Sequence, residues 1–223
     1  LEFIKYKNVK IGCFLPLSFD YGFYQIFLAL KSNSDLYFGN ADEAGIRLVD
    51  IIKYNKINCL PLVQNILINY LKLIKRFDKD YIKLKIITNT GSPISKKYIS
   101  QIKKINKNIK IYLMYGLTEC KRVSILDYNN FPKKTNSVGM PLKTTKCWIV
   151  NKYNKRVINS KKGELVVEGK NVMQGYYKDK KLTDEKFSRI NKDTSRLYTG
   201  DICKIDKDGF IYFFGRKDDV IIV

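Results

Sequence analysis

Apolar positions along this chain show two textures. Up to about residue 136, short apolar runs alternate with longer stretches of helical spacing; beyond it, apolar segments of five to eight residues alternate with glycine-containing turns. Residues 9 to 18, Val9 to Leu17 above all, are apolar at most positions, as expected of a strand buried on both faces. A helix is expected from about Tyr21 to Lys31, then a short strand at Leu36-Tyr37-Phe38. Helices near 41–54 and 61–76 follow, the second opening with Pro61 at a first helical position, where its missing N–H removes no helical bond.

The clearest unit comes next. Leu84 to Thr88 predicts a strand, Thr90-Gly91-Ser92 a turn, and Ser92-Pro93 the cap and first position of a helix whose Ile94, Tyr98, Ile99, Ile102 and Ile105 share one face. The chain re-enters as a strand over 109–115. A strand–helix–strand unit of this kind makes its strands parallel, so Gly91-Ser92 and Gly116-Leu117-Thr118 are expected at one sheet edge. The alternation over the first part predicts an α/β fold with a doubly wound, mostly parallel sheet. Beyond it, strands at 145–151, 164–168, 202–206 and 210–214 predict a small antiparallel barrel or sheet. The last two join through Asp206-Lys207-Asp208-Gly209, a hairpin signal.

Composition narrows the chemistry. Across 223 residues, 42 Lys and Arg face 21 Asp and Glu, a formal charge of +21. The lysines are scattered, with no basic run of five, so solvated faces explain them better than a nucleic-acid footprint. Histidine is absent, which removes imidazole bases, Ser-His-Asp and Cys-His nucleophiles, and His metal sites together. Cys13, Cys59, Cys120, Cys147 and Cys203 are odd in number and form no CxxC pair, which predicts neither a disulfide framework nor a zinc site and points to a reducing, cytoplasmic setting. The longest apolar stretch, Ile11 to Leu30, is broken by Gly12, Pro16, Ser18, Asp20, Gly22 and Gln25, so no transmembrane segment is expected. With no initial Met and no signal pattern, the first residue reads as a cut point within a longer protein.

What remains is backbone, hydroxyl, carboxylate, Arg and Lys chemistry. Ile111 to Glu119 ends an apolar run in Tyr115-Gly116-Leu117-Thr118-Glu119. This is either a ligand-binding strand end carrying a hydroxyl and a carboxylate, or an ordinary strand-to-loop junction with a turn glycine.

Four stretches in order resolve that choice. They are Tyr115-Gly116-Leu117-Thr118-Glu119; Gly163-Glu164-Leu165-Val166-Val167-Glu168-Gly169 leading to Gly175-Tyr176-Tyr177; Tyr198-Thr199-Gly200-Asp201; and Gly215-Arg216-Lys217-Asp218-Asp219. Together they resemble the adenylate-forming (ANL) superfamily of acyl-CoA synthetases, luciferases and peptide-synthetase adenylation domains. The resemblance covers essentially the whole chain. It implies ATP- and Mg²⁺-dependent activation of a small carboxylic acid to an acyl-adenylate, with transfer to the thiol of coenzyme A or of a phosphopantetheine-bearing acyl or peptidyl carrier protein.

Carried over by residue, the resemblance makes Thr118 a donor to the α-phosphate and Glu119 the Mg²⁺ ligand. Tyr115, beside Gly116, would stack on adenine, or else be a core-edge aromatic. Thr90, Gly91, Ser92 and Pro93 would line the other face of the base. Asp201 would accept from the ribose hydroxyls, or else open a hairpin; Arg216 would reach the ribose side, or else form a surface ion pair. Asp218 matches a hinge position. The expected organisation is an α/β nucleotide- and acyl-binding subdomain at 1–136, a β-rich subdomain at 137–214, and the start of a hinge at 215–223.

Leu15-Pro16-Leu17-Ser18-Phe19-Asp20 resembles two family variants, with Phe19 as a gate over the carboxylate or Asp20 as partner to a substrate ammonium; Asp20 as a helix cap is the third option. The family's phosphate loop and its lid lysine are missing between residues 1 and 223. The chain is therefore expected to be a part of an acid–thiol ligase that is inactive alone. An amino-acid adenylation domain or a catalytically dead nucleotide-binding scaffold are the alternatives.

Overall fold

The computed structural model describes residues 9–77, 84–157 and 161–219. The chain forms two compact units, Leu1–Leu113 and Met114–Val223.

The first unit alternates strands and helices: β1 (Lys10–Cys13), α1 (Asp20–Ser32), β2 (Asp35–Phe38), α2 (Leu48–Tyr54), β3 (Cys59–Leu62), α3 (Gln64–Ile74), β4 (Ile86–Asn89) and α4 (Lys96–Ile105). β5 (Lys110–Tyr115) then carries the chain into the second unit. The strands are ordered β2-β1-β3-β4-β5, each pair parallel. β3 and β4 are buried at every residue, which is why they read as continuous apolar runs rather than as alternation. The expected parallel α/β sheet is present, and β4-α4-β5 is the expected strand–helix–strand unit.

Several boundaries differ from the sequence expectation, each for a local reason. The first strand is shorter than 9–18, because Pro16 begins a turn closed by Phe19 N–H donating to the Pro16 carbonyl at 3.1 Å. The helix expected from 41 starts only at Leu48. Asn40 and Glu43 instead exchange side-chain-to-backbone bonds of 2.8 and 2.9 Å, and Gly45 N–H closes back on the Asp42 carbonyl. Pro61 is not at the head of a helix but inside β3, opposite Thr88. The pairing of β3 with β1 ends at Cys59, two residues earlier, so a missing donor at 61 disrupts little of it. Ser92 and Pro93 do not open α4 either. Proline disfavours helical geometry at the residue before it, Ile94 turns into the core, and the helix begins at Lys96 behind an extended Ser95.

The second unit is built of β-structure. β6 (Ser124–Asp127) pairs antiparallel with β7 (Met140–Pro141), with a 3-10 turn at Pro132–Lys134 between them; residue 136 falls just after that turn. Then come β8 (Thr145–Val150), β9 (Arg156–Val157), β10 (Gly163–Gly169), α5 (Lys180–Lys186), β11 (Phe187–Asn191), β12 (Thr194–Ile205) and β13 (Ile211–Arg216). These strands form a curled antiparallel sheet in the order β11-β12-β10-β8-β9, with β13 also on β12. The twelve-residue β12 is the long member: its first half pairs β11 and its second half β13.

Sequence pattern anticipated β8, β10, β13 and only the end of β12. The earlier part of β12 alternates half-buried and buried positions from Thr194 to Cys203, as a strand with one face on a core should. β6, β7, β9, β11 and α5 were not anticipated. The hairpin at 206–209 forms as expected, with Asp206 Oδ1 accepting from the amides of Asp208 and Phe210 at 3.0 and 2.9 Å. The core beneath the sheet includes Ile149, Leu165, Val167, Leu197, Cys203 and Ile211. All five cysteines are free thiols. Among the described residues, no helix is long and apolar enough to cross a membrane.

Candidate functional site

Phe19, Asp20 and Thr90 to Pro93 belong to the first unit; the other candidate residues belong to the second. In the first unit, β4 ends in a polar, buried run. Thr88 meets the Tyr21 hydroxyl at 2.5 Å, and the Asn89 amide donates to the Leu62 carbonyl at 3.3 Å. The chain then turns at Gly91 with φ of +81°, a conformation that favours glycine, and a Cβ placed there would lie 3.4 Å from the tip of the Phe19 ring. Phe19 and the Gly91 turn are thus neighbours, although 72 positions apart in sequence. Asp20 is the first residue of α1 rather than its cap. Phe19 occupies the cap position and no side chain caps this helix, so the half-buried Asp20 carboxylate is left beside the positive end of the helix dipole.

In the second unit, β5 ends at Tyr115 and the chain folds back at once. Val123 N–H donates to the Tyr115 carbonyl at 2.9 Å, and a Cβ on Gly116 would overlap the Lys121 carbonyl oxygen. Only glycine permits this close passage, so the tight turn is the physical reason for Gly116. Thr118 is exposed at the turn, with no side-chain hydrogen bond among the described residues.

Tyr115, Asp201 and Arg216 form one hydrogen-bonded cluster. The Tyr115 hydroxyl donates to Asp201 Oδ2, while Arg216 Nη1 donates to Asp201 Oδ1 at 2.8 Å and to the Thr199 carbonyl at 3.1 Å. Strand register brings the ionic pair together, since Asp201 on β12 lies opposite Arg216 on β13. Asp201 is 2% exposed. Burial pushes its carboxyl above the usual aspartate range, against the opposing pull of Tyr115 and Arg216. Burial, and then the Asp201 charge, pushes the Tyr115 phenol up as well, so it stays a donor at neutral pH. The Tyr115 ring rests against Phe213 at 6.2 Å between centroids.

Glu119 is held separately. Its Oε1 accepts from the Tyr176 hydroxyl at 2.7 Å, and its carbonyl accepts from Met173 N–H at 2.8 Å. Oε2 has no hydrogen bond among the described residues. Glu119 and Asp201 nevertheless lie within electrostatic reach, since the Glu119 charge contributes to raising the Asp201 pKa. No group of three or more His, Cys, Asp or Glu able to hold a metal occurs among the described residues. A lone carboxylate with one oxygen unengaged suits Mg²⁺, which keeps several waters and takes one or two carboxylates, far better than a metal needing a protein cage.

Three participants were not singled out from sequence. Tyr176 and Glu164 lay in quoted motifs without a role, and Phe213 carried no signal beyond being an aromatic in a strand. Glu164 Oε1 accepts from Gly200 N–H at 3.0 Å and its Oε2 from Lys217 Nζ at 3.3 Å, tying the β12 residue before Asp201 to the residue just after β13. Asp218 sits in the exposed turn after β13; residues 220–223 of the expected hinge lie outside the described residues.

The family model described as AMP-binding enzyme matches residues 4–177. The chain belongs to the AMP-binding enzyme family. The long-chain-fatty-acid–CoA ligase of Salmonella typhimurium is 33% identical over 162 residues, 71% of this chain and 28% of the ligase. Tyrocidine synthase 3 of Brevibacillus parabrevis is 31% identical over 142 residues, 63% of this chain and 2% of the synthase. Among solved structures, the complex of VinN with L-aspartate matches with a TM-score of 0.83 at 27% identity, over 95% of this chain and 51% of that one. The O-succinylbenzoate coenzyme A synthetase MenE from Bacillus subtilis, in complex with ATP and magnesium ion, matches with a TM-score of 0.81 at 23% identity, over 96% of this chain and 43% of that one, a likeness of fold. The chain thus spans less than a third of the curated relatives' length and about half of these solved chains. The adenylate-forming superfamily expected from the four motifs is the one to which this AMP-binding enzyme belongs.

Proposed function

We propose that this chain is the nucleotide- and acyl-binding portion of an AMP-forming acid–thiol ligase. Its reaction would have two steps. A carboxylate oxygen attacks the α-phosphorus of ATP and the bond to pyrophosphate breaks; a thiol sulfur then attacks the acyl carbon and AMP leaves. Family membership and the Tyr115–Asp201–Arg216 cluster, on a unit that also carries Glu119 and Thr118, are the observations that support this reading.

In this proposal Asp201 accepts from ribose hydroxyls with lone pairs that Tyr115 and Arg216 leave unused, and Arg216 holds the carboxylate in place. Tyr115 with Gly116 offers an adenine-binding surface on the second unit; on the first unit, Thr90 to Pro93 are the residues the family resemblance assigns to the base. The Thr118 hydroxyl, exposed and uncommitted, donates to an α-phosphate oxygen as charge accumulates there. Glu119, whose Oε2 has no hydrogen bond among the described residues, would hold Mg²⁺. When bound, the metal ion supplies charge stabilisation to the phosphate oxygens. Asp218 serves as a hinge position.

The acid is proposed to be an acyl substrate, consistent with the fatty-acid ligase relative, with coenzyme A or a carrier-bound phosphopantetheine as acceptor. An amino acid is the second reading. It is favoured by Asp20, whose carboxylate is not used to cap α1 and is free to pair with an ammonium group. Pyrophosphate exchange into ATP, measured on the native-length protein with fatty, aryl and amino acids in parallel, tests both. Exchange with a fatty or aryl acid supports the first reading and exchange with an amino acid the second. No exchange with any acid, alongside nucleotide binding, identifies a scaffold. We propose that residues 1–223 alone give none.

A further inference from the structure

The loop between β10 and α5 grips the residue proposed to hold the metal, and it does so from a chain segment to which no role had been assigned. Met173 N–H donates to the Glu119 carbonyl at 2.8 Å, and the Tyr176 hydroxyl donates to Glu119 Oε1 at 2.7 Å. Backbone and side chain of Glu119 are therefore fixed from one loop. The loop is itself restrained. Tyr176 N–H donates to Thr183 Oγ1 at 2.9 Å, and the Tyr176 ring meets Phe187 edge-on at 5.5 Å. Asn171 donates to the Cys120 carbonyl at 2.9 Å and the Arg122 carbonyl at 3.2 Å, clamping the turn on the far side of Glu119.

We infer that Tyr176 is a positioning residue for Glu119, holding Oε1 so that Oε2 is presented to a divalent cation. The inference rests on the reading of Glu119 as the Mg²⁺ ligand. A carboxylate at the end of a flexible side chain loses rotamer freedom when it takes up a metal, and a partner that fixes one oxygen beforehand removes much of that cost. Removal of such outer partners commonly weakens metal affinity by 10–100-fold. A tyrosine suits the task because its phenol stays protonated. A phenol is un-ionised at neutral pH, so along this bond the hydroxyl donates and the carboxylate accepts.

The test uses the native-length protein and two titrations: ATP binding against a series of Mg²⁺ concentrations, and AMP binding in chelator without metal. Tyr176→Phe keeps the ring against Phe187 and deletes the donor. It is expected to raise the Mg²⁺ concentration for half-saturation by about tenfold, while AMP affinity without metal changes less than twofold. A merely structural role would shift both titrations together, and that result overturns the inference, as does an unchanged Mg²⁺ requirement. Thr183→Ala, which frees the Tyr176 backbone, is expected to shift the Mg²⁺ requirement in the same direction by a smaller factor. Glu119→Gln separates the two levels. If it abolishes the Mg²⁺ dependence and Tyr176→Phe does nothing, the positioning role alone falls. If Glu119→Gln leaves the dependence intact, or the unaltered protein binds no nucleotide, the metal-ligand reading falls and the inference with it.

Discussion

Replacing Tyr115 with Phe isolates one bond of the Tyr115–Asp201–Arg216 cluster. The ring and its contact with Phe213 persist; only the donor to Asp201 Oδ2 is lost. Hydrogen bonds to charged groups contribute about 1.5–3 kcal/mol. Arg216 still holds Oδ1 at 2.8 Å, so the loss should fall near the lower end, about 2 kcal/mol at neutral pH.

The pH dependence follows from linkage. Burial raises the Asp201 pKa above its unfolded value, so the native state binds that proton more tightly. The stability associated with Asp201 is fully present below the unfolded aspartate pKa and is lost as pH rises through the native one. Removing the Tyr115 donor pushes the native value higher still and extends that loss. The Tyr115→Phe penalty should therefore shrink to about 1 kcal/mol in acid, where a neutral carboxyl accepts only an ordinary hydrogen bond. Urea unfolding followed through Trp148, the one tryptophan in the chain and part of the same unit, measures it. The neutral-pH midpoint should fall by about 1 M at typical urea slopes. A double-mutant cycle with Asp201→Asn should show about 1 kcal/mol of coupling or more. A penalty below about 0.5 kcal/mol, one equal at both pH values, or additive mutants would refute the assignment of this bond.

Glu168, paired across the sheet with Arg196 at 2.8 Å, has its pKa lowered chiefly by that guanidinium, so its stabilisation is present above the ordinary glutamate range and is lost as pH falls through the depressed value. Glu168→Gln should cost about 1–2 kcal/mol at pH 7 and progressively less as pH falls below the ordinary glutamate range, as read by urea midpoints along an acid series. Gly116→Ala should cost about 3 kcal/mol or prevent folding, because its methyl meets the Lys121 backbone; soluble yield and denaturation report it, and wild-type stability would show that the turn is looser than described. Thiol titration should show no cysteine reacting readily in native buffer, even the half-buried Cys147, whose thiol burial pushes up to about 12, and all five in denaturant. Rapid reaction of Cys59 or Cys203 without denaturant would contradict their burial.

The parts of this molecule legible in sequence were those set by local rules. The Asp206 to Gly209 turn announced its hairpin. Counting back from it along both strands pairs Asp201 with Gly215; only the register shift between Ile202 and Cys203 sets Arg216 opposite, so that ion pair could not be read from the pattern. The parallel strands around Gly91 followed from the strand–helix–strand rhythm. Pro61 misled because the helix-start signal it carries is local, whereas its place in β3 is decided by burial between neighbouring strands. Tyr176 was invisible as a functional residue for a related reason. Its partner Glu119 lies 57 positions away, and only the packing of a loop whose spacing carries no periodic signal brings the two together. Asp20 shows the limit of residue-type rules: the right side chain for a cap stands one position too late to act as one.

The double duty of β12 has a consequence for how this unit opens. With β10 along one side, and β11 pairing 194–197 and β13 pairing 201–205 on the other, most of that strand is bordered on at least one side and its 195–197 and 202–203 segments on both. Amide hydrogen exchange at 195–197 and 202–203 should therefore be the slowest in the strand, released only when the whole sheet comes apart. Asp201 would then keep its position for as long as the unit is folded at all.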